Sequence, residues 1–64
     1  MYTTKQAIEI LLKNKAGLTF KMVSNENIHI FRDVYGTICK GEHGDGLIVK
    51  LDDELYKLEF WELI

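Results

Sequence analysis

The chain has 64 residues, 47% hydrophobic and 28% charged, with a net charge of −2, a composition that excludes a second domain, a fibrous repeat and a disordered chain. A single cysteine, Cys39, excludes a disulfide framework. At this length the gain from burial nearly cancels the cost of ordering, so self-association is the expected supplement to a small core.

"TTKQAIEILLKNKAG" reads as one helix. Thr3 is placed to cap the first turn, and Gln6, three residues later, to return the bond in a capping box. On a 100° wheel Ile10, Ala7, Leu11, Ile8 and Leu12 form one apolar arc, which leaves Lys5, Glu9 and Lys13 to solvent. Lys13 and Lys15 suit the carbonyl end of the helix, and Gly17 is the expected stop.

From Leu18 the period becomes two. Leu18, Phe20 and Met22 alternate with Thr19 and Lys21, which predicts a strand with one dry face. "SNEN" at 24–27 is turn chemistry, "IHIFR" a second strand, "DVYG" a turn closing on Gly36, and "TICK" a third strand. Short loops make these strands antiparallel. After "GEHGDG" at 41–46, "LIVKL" predicts a fourth strand with Leu47, Val49 and Leu51 on one face. In "DDELYKLEFWELI", Asp52 caps a helical turn through Tyr56 and a last strand runs from Leu58 to Leu63, with a hairpin at Asp52 and Asp53 as the rival reading. The fold class is therefore α+β: residues 1–64 form one domain, with one N-terminal helix packed on an antiparallel sheet of four to five strands.

The motifs give little chemistry. "GEHGDG" has the glycines of a phosphate loop, but its spacing is not that of a nucleotide fingerprint, a strand follows it, and Glu42 and Asp45 would repel phosphate. Glu42, His43 and Asp45 are too few for calcium, and Cys39, His29 and His43 too few and wrongly spaced for zinc. The stretch is read as a flexible hairpin loop. His29 and Cys39 lie on strands expected to pair, yet a strand-filling thiol and a solvent-facing histidine are the plainer assignments. We expect no catalytic residue, no metal and no cofactor.

Charge is unevenly spread. Residues 1–32 carry five basic and two acidic side chains, hence +3, whereas residues 33–64 carry three basic and eight acidic ones, hence −5. Phe20, Lys21, Phe31 and Arg32 are the candidates for stacking on a nucleic acid, but Phe20 belongs to the dry alternation and the acidic half opposes a phosphate backbone, so nucleic acid is not the expected partner. No segment has the pattern of a secretory signal or a membrane span, and the lone thiol fits a reducing compartment, so the cytoplasm is the expected location. In "LEFWELI" Trp61 shares a face with Leu63, and Leu58 with Phe60, so both faces want cover. Trp61 and Tyr56 are the expected aromatic anchors of a protein contact, with core packing as the alternative for them, and Asp52, Asp53, Glu54 and Glu59 form its acidic surround.

Two segments, "QAIEILLKNKAG" with Gln6, Ala7, Leu11, Lys13 and Gly17, and "LDDELYKLEFWEL" with Asp53, Leu55, Trp61 and Glu62, resemble parts of small phage-encoded proteins of the Thoeris anti-defence type. The resemblance implies a compact α+β oligomer, encoded by a phage or mobile element, that binds an immune signalling nucleotide without cleaving it. The expected function is that of a non-enzymatic inhibitor that binds a basic surface of a bacterial defence protein. The alternatives are a nucleotide-sequestering oligomer and a structural or regulatory subunit.

Overall fold

In the computed structural model, which describes residues 1–14, 17–42 and 47–64, the chain is an α+β fold. Its elements run β1 (Tyr2–Thr3), α1 (Thr4–Lys13), β2 (Thr19–Met22), β3 (Ile28–Arg32), β4 (Ile38–Glu42), β5 (Ile48–Lys50), α2 (Asp53–Tyr56) and β6 (Phe60–Leu63). The expected Lys15 contact at the helix end lies outside the described residues, as do His43 to Gly46 of the glycine-rich stretch.

α1 begins as its sequence dictates. Thr3 Oγ1 accepts from the Gln6 N–H at 3.2 Å and Gln6 Oε1 accepts from the Thr3 N–H at 3.0 Å, a complete capping box. The helix stops a turn earlier than Gly17 suggested. Asn14 is extended, and both its backbone N–H and its side-chain amide donate to the Ile10 carbonyl, at 3.2 and 2.8 Å. A residue that can satisfy the last carbonyl from its own side chain ends a helix without a left-handed residue. Gly17 still takes positive φ, +122°, but in the connection to β2.

The sheet has six strands in the order β1-β6-β2-β3-β4-β5, and every neighbouring pair is antiparallel. The count exceeds the expected four to five because Tyr2 and Thr3, ahead of the helix, pair with Trp61 and Phe60 of β6. The rival hairpin at Asp52 and Asp53 is not formed. Asp52 caps α2 by accepting from the Glu54 N–H at 3.1 Å.

Cross-strand register sorts the side chains into two faces, because directly paired residues point the same way. Phe20, Met22, Ile30 and Trp61 share the face beneath α1, where they close a core with Ala7, Leu11 and Leu51. Tyr2 packs edge-on against Phe20 with ring centroids 5.5 Å apart. The apolar arc of α1 is thus buried at Ala7 and Leu11, half-buried at Ile8 and Ile10, and exposed at Leu12. α1 packs chiefly against β1, β3, β6 and α2, toward the β1–β6 side of the sheet. Of the expected dry face of β5, Leu51 alone is buried, whereas Leu47 and Val49 are exposed.

Candidate protein-interaction surface

The six residues expected to form the contact separate into three groups. Trp61 is the clearest correction. It is 0% exposed, and its indole N–H donates to Thr4 Oγ1 at 2.7 Å. Thr4 in turn donates to the Tyr56 carbonyl. β6 is an inner strand of the sheet, so the face that Trp61 occupies lies under α1, and the indole is a core side chain whose one polar atom is satisfied from the first turn of the helix. An accessible anchor it is not. Thr4, buried at the hub of these bonds, was not singled out from sequence, since a threonine beside a cap residue gives no sign that it will bridge to a strand 57 residues away.

Tyr56 is half-buried. Its ring meets Trp61 edge-on at 6.2 Å, and Lys40 Nζ stands 5.8 Å from its centroid. Glu59 is also partly buried and accepts from Ser24 Oγ at 2.8 Å, which ties the start of β6 to the β2–β3 connection. These two residues position α2 and β6.

Asp52, Asp53 and Glu54 are exposed at the start of α2, where carboxylates complement the helix end. Beside them Leu55 is 75% and Leu58 86% exposed. α2 buries none of its own four side chains, and what holds it is the Thr4 bond and the packing of Tyr56. Glu54 forms an ion pair with Lys57 at 3.6 Å in full view of solvent, a geometry of small energetic weight. Asp53 also lines a groove of about 380 Å³ with Ile8, Thr37, Ile38 and Leu51, and this groove continues to Gly36 at the β3–β4 turn.

That turn holds the pair that sequence reasoning passed over. Val34 and Tyr35 are 88% and 89% exposed. Asp33 Oδ1 accepts from the Tyr35 and Thr37 N–H groups, both at 2.9 Å, Gly36 N–H donates back to the Asp33 carbonyl at 3.1 Å, and Gly36 takes φ +84°. The signal was present in "DVYG": turn centres usually hold small or polar residues, and here they hold a valine and a tyrosine.

The remaining candidates are dispersed. Phe20 is buried beneath α1, and Arg32 lies on that same side with Nη1 donating to the Leu12 carbonyl at 3.2 Å, whereas Lys21 and Phe31 stand on the opposite face. His29 and Cys39 share that opposite face, but His29 Nε2 lies 3.0 Å from the Glu26 carbonyl, and Cys39 Sγ is directed to Asp33 Oδ2 at 3.6 Å and the Thr37 carbonyl at 3.7 Å. Burial, and then the Asp33 carboxylate, push the Cys39 thiol above its usual pKa, the opposite of what a nucleophile requires. Among the described residues no three His, Cys, Asp or Glu side chains are grouped to hold a metal. Among them, too, no helix is long and apolar enough to cross a membrane.

No family model matches the chain, nor does any curated protein or solved structure.

Proposed function

We propose that this chain is a small non-enzymatic binding protein that inhibits a bacterial defence protein by occupying a basic, partly apolar patch on its surface, and that α2 and its flanks make the contact. One observation carries the reading: Leu55, on α2, and Leu58, just after it, stand in solvent beside Asp52, Asp53 and Glu54, where Tyr56 is the one α2 side chain packed against the core. Exposed leucines framed by like charges suit a partner that offers apolar holes among lysines and arginines. The inhibitory role rests on the resemblance to anti-defence proteins.

The test is affinity capture from a bacterial lysate with the native chain and with two variants, Leu55→Ser/Leu58→Ser and Asp53→Lys/Glu54→Lys. A specific protein held by the native chain and lost with both variants supports the reading. Equal retention by all three would remove α2 from the contact. A panel of cyclic nucleotides in a thermal melt addresses the sequestration alternative, since a bound ligand raises the melting temperature.

A further inference from the structure

β5 ends the sheet, with β4 as its one strand neighbour among the described residues. The phase of its hydrogen bonds is fixed by the Leu51 N–H, which donates to the Ile38 carbonyl at 2.9 Å. In an antiparallel pair these bonds alternate residue by residue, so Val49, like Leu51, turns its N–H and C=O toward β4, and Ile48 and Lys50 turn theirs outward. A row of outward backbone groups is the template on which another extended strand pairs.

Edge strands are ordinarily guarded by charge, and this one carries little. Leu47, Ile48 and Val49 are successive apolar residues, all exposed, and Lys50 is the one charge of β5. α2 does not shield them. Beyond Leu51 the chain turns inward, where Asp52 caps α2 and the Tyr56 ring reaches Lys40 of β4 and Trp61 of β6. The opposite edge, β1, is two residues long and runs straight into α1, so it has no comparable row.

The pattern along β5 is symmetric about Val49, and that symmetry selects the occupant. A two-fold axis perpendicular to the sheet and passing between two Val49 residues sets Ile48 of one copy opposite Lys50 of the other as hydrogen-bonded pairs, each exchanging two backbone bonds. In the closer, non-bonded pairs it sets Val49 opposite Val49 and Leu47 opposite Leu51, with Cβ atoms about 4.5–5.5 Å apart. These side chains lie on the helix side, where Leu51 is already part of the core, so the two cores meet through an apolar row. A dyad at Lys50 would instead oppose two ammonium groups.

We propose that the β5 edge pairs with β5 of a second copy of the same chain, antiparallel about Val49, so that two six-stranded sheets become one continuous sheet with the helices of both copies on the same side.

The experiment is sedimentation equilibrium of the native chain and its variants, joined to residue-resolved amide exchange, with folding checked by circular dichroism. The native chain is expected at twice its 7.4 kDa mass at about 100 μM. Val49→Lys sets two lysines face to face at the dyad and is expected to yield a folded monomer. The Ile48 and Lys50 amides should exchange about tenfold faster in that monomer than in the native dimer, whereas the Leu51 amide, bonded to Ile38 within the chain, should change little. Lys50→Pro removes an outward N–H and no bond to β4, and is expected to raise the dissociation constant about tenfold, while Lys50→Thr, which keeps the N–H, leaves the dimer at least as tight. A native monomer at that concentration overturns the proposal and leaves the edge to an extended segment of another protein. So does a dimer whose Ile48 and Lys50 amides exchange as fast as in the monomer, or one that Val49→Lys leaves intact. Leu55→Ser/Leu58→Ser is expected to leave the mass as it is, which separates this result from the fate of the α2 reading.

Discussion

Thr4 illustrates how much can depend on one hydroxyl. It accepts from the Trp61 indole and donates to the Tyr56 carbonyl, linking α1, α2 and β6. Thr4→Val keeps the shape and leaves a buried donor and a carbonyl without their partner, at a cost of about 1–3 kcal/mol for each group. We expect a fall of about 3 kcal/mol in urea unfolding, whereas Thr4→Ser, which keeps the hydroxyl, should lose about 1 kcal/mol. Cys39 offers a pH-dependent counterpart. Its thiol pKa is raised by burial first and Asp33 second, so the folded chain holds the proton more tightly than the unfolded chain does. That contribution to stability is full below the ordinary thiol range of about 8.5 and is lost as pH rises through the folded value. Asp33→Asn keeps an oxygen for the Tyr35 and Thr37 N–H groups and removes the charge. The pH midpoint of Cys39 alkylation should shift downward in that variant, and an unmoved midpoint would show that burial acts alone.

Among the elements, α1 and the β3–β4 hairpin owe their ends to local chemistry. Thr3→Ala removes half of the capping box and should cost about 1 kcal/mol, measurable in thermal or urea unfolding. At Gly36 the left-handed φ of +84° is a backbone requirement, since a Cβ there would meet nothing within 4 Å. Gly36→Val should therefore cost about 1–3 kcal/mol through strain, and Gly36→Asn distinctly less, because asparagine tolerates the conformation. Gly41 is the reverse case: its backbone is ordinary and the Phe31 ring sets the limit. The start of α1, the "SNEN" and "DVYG" turns, the Asp52 cap and the antiparallel order were legible because each depends on residues a few positions apart, whereas Asn14 and not Gly17 ends the helix. The pairing of Tyr2 with Trp61 was not, for a two-residue strand has no period to read and its partner is 59 positions along the chain.

For the whole molecule, a sheet shielded on one side leaves a chain of this size short of buried area. If self-association supplies the difference, the melting temperature should rise with protein concentration from about 5 to 500 μM. The α2 variants belong to a different account. Leu55 and Leu58 are exposed, so their replacement by serine should move stability by no more than about 0.5 kcal/mol while affecting target capture.

Trp61 marks the boundary between the two sources of information. Its strand, its face-mates and its likeness to an interface anchor could all be read from neighbouring letters. Whether that face met a helix or a stranger depended on β1 and β2 flanking β6 and placing α1 above it. Local propensity and periodicity act over a few residues and so are written in the chain in order. Which face is dry, and which carboxylates remain free to meet a partner, follows from contacts between segments far apart in sequence, and only the assembled sheet decides them.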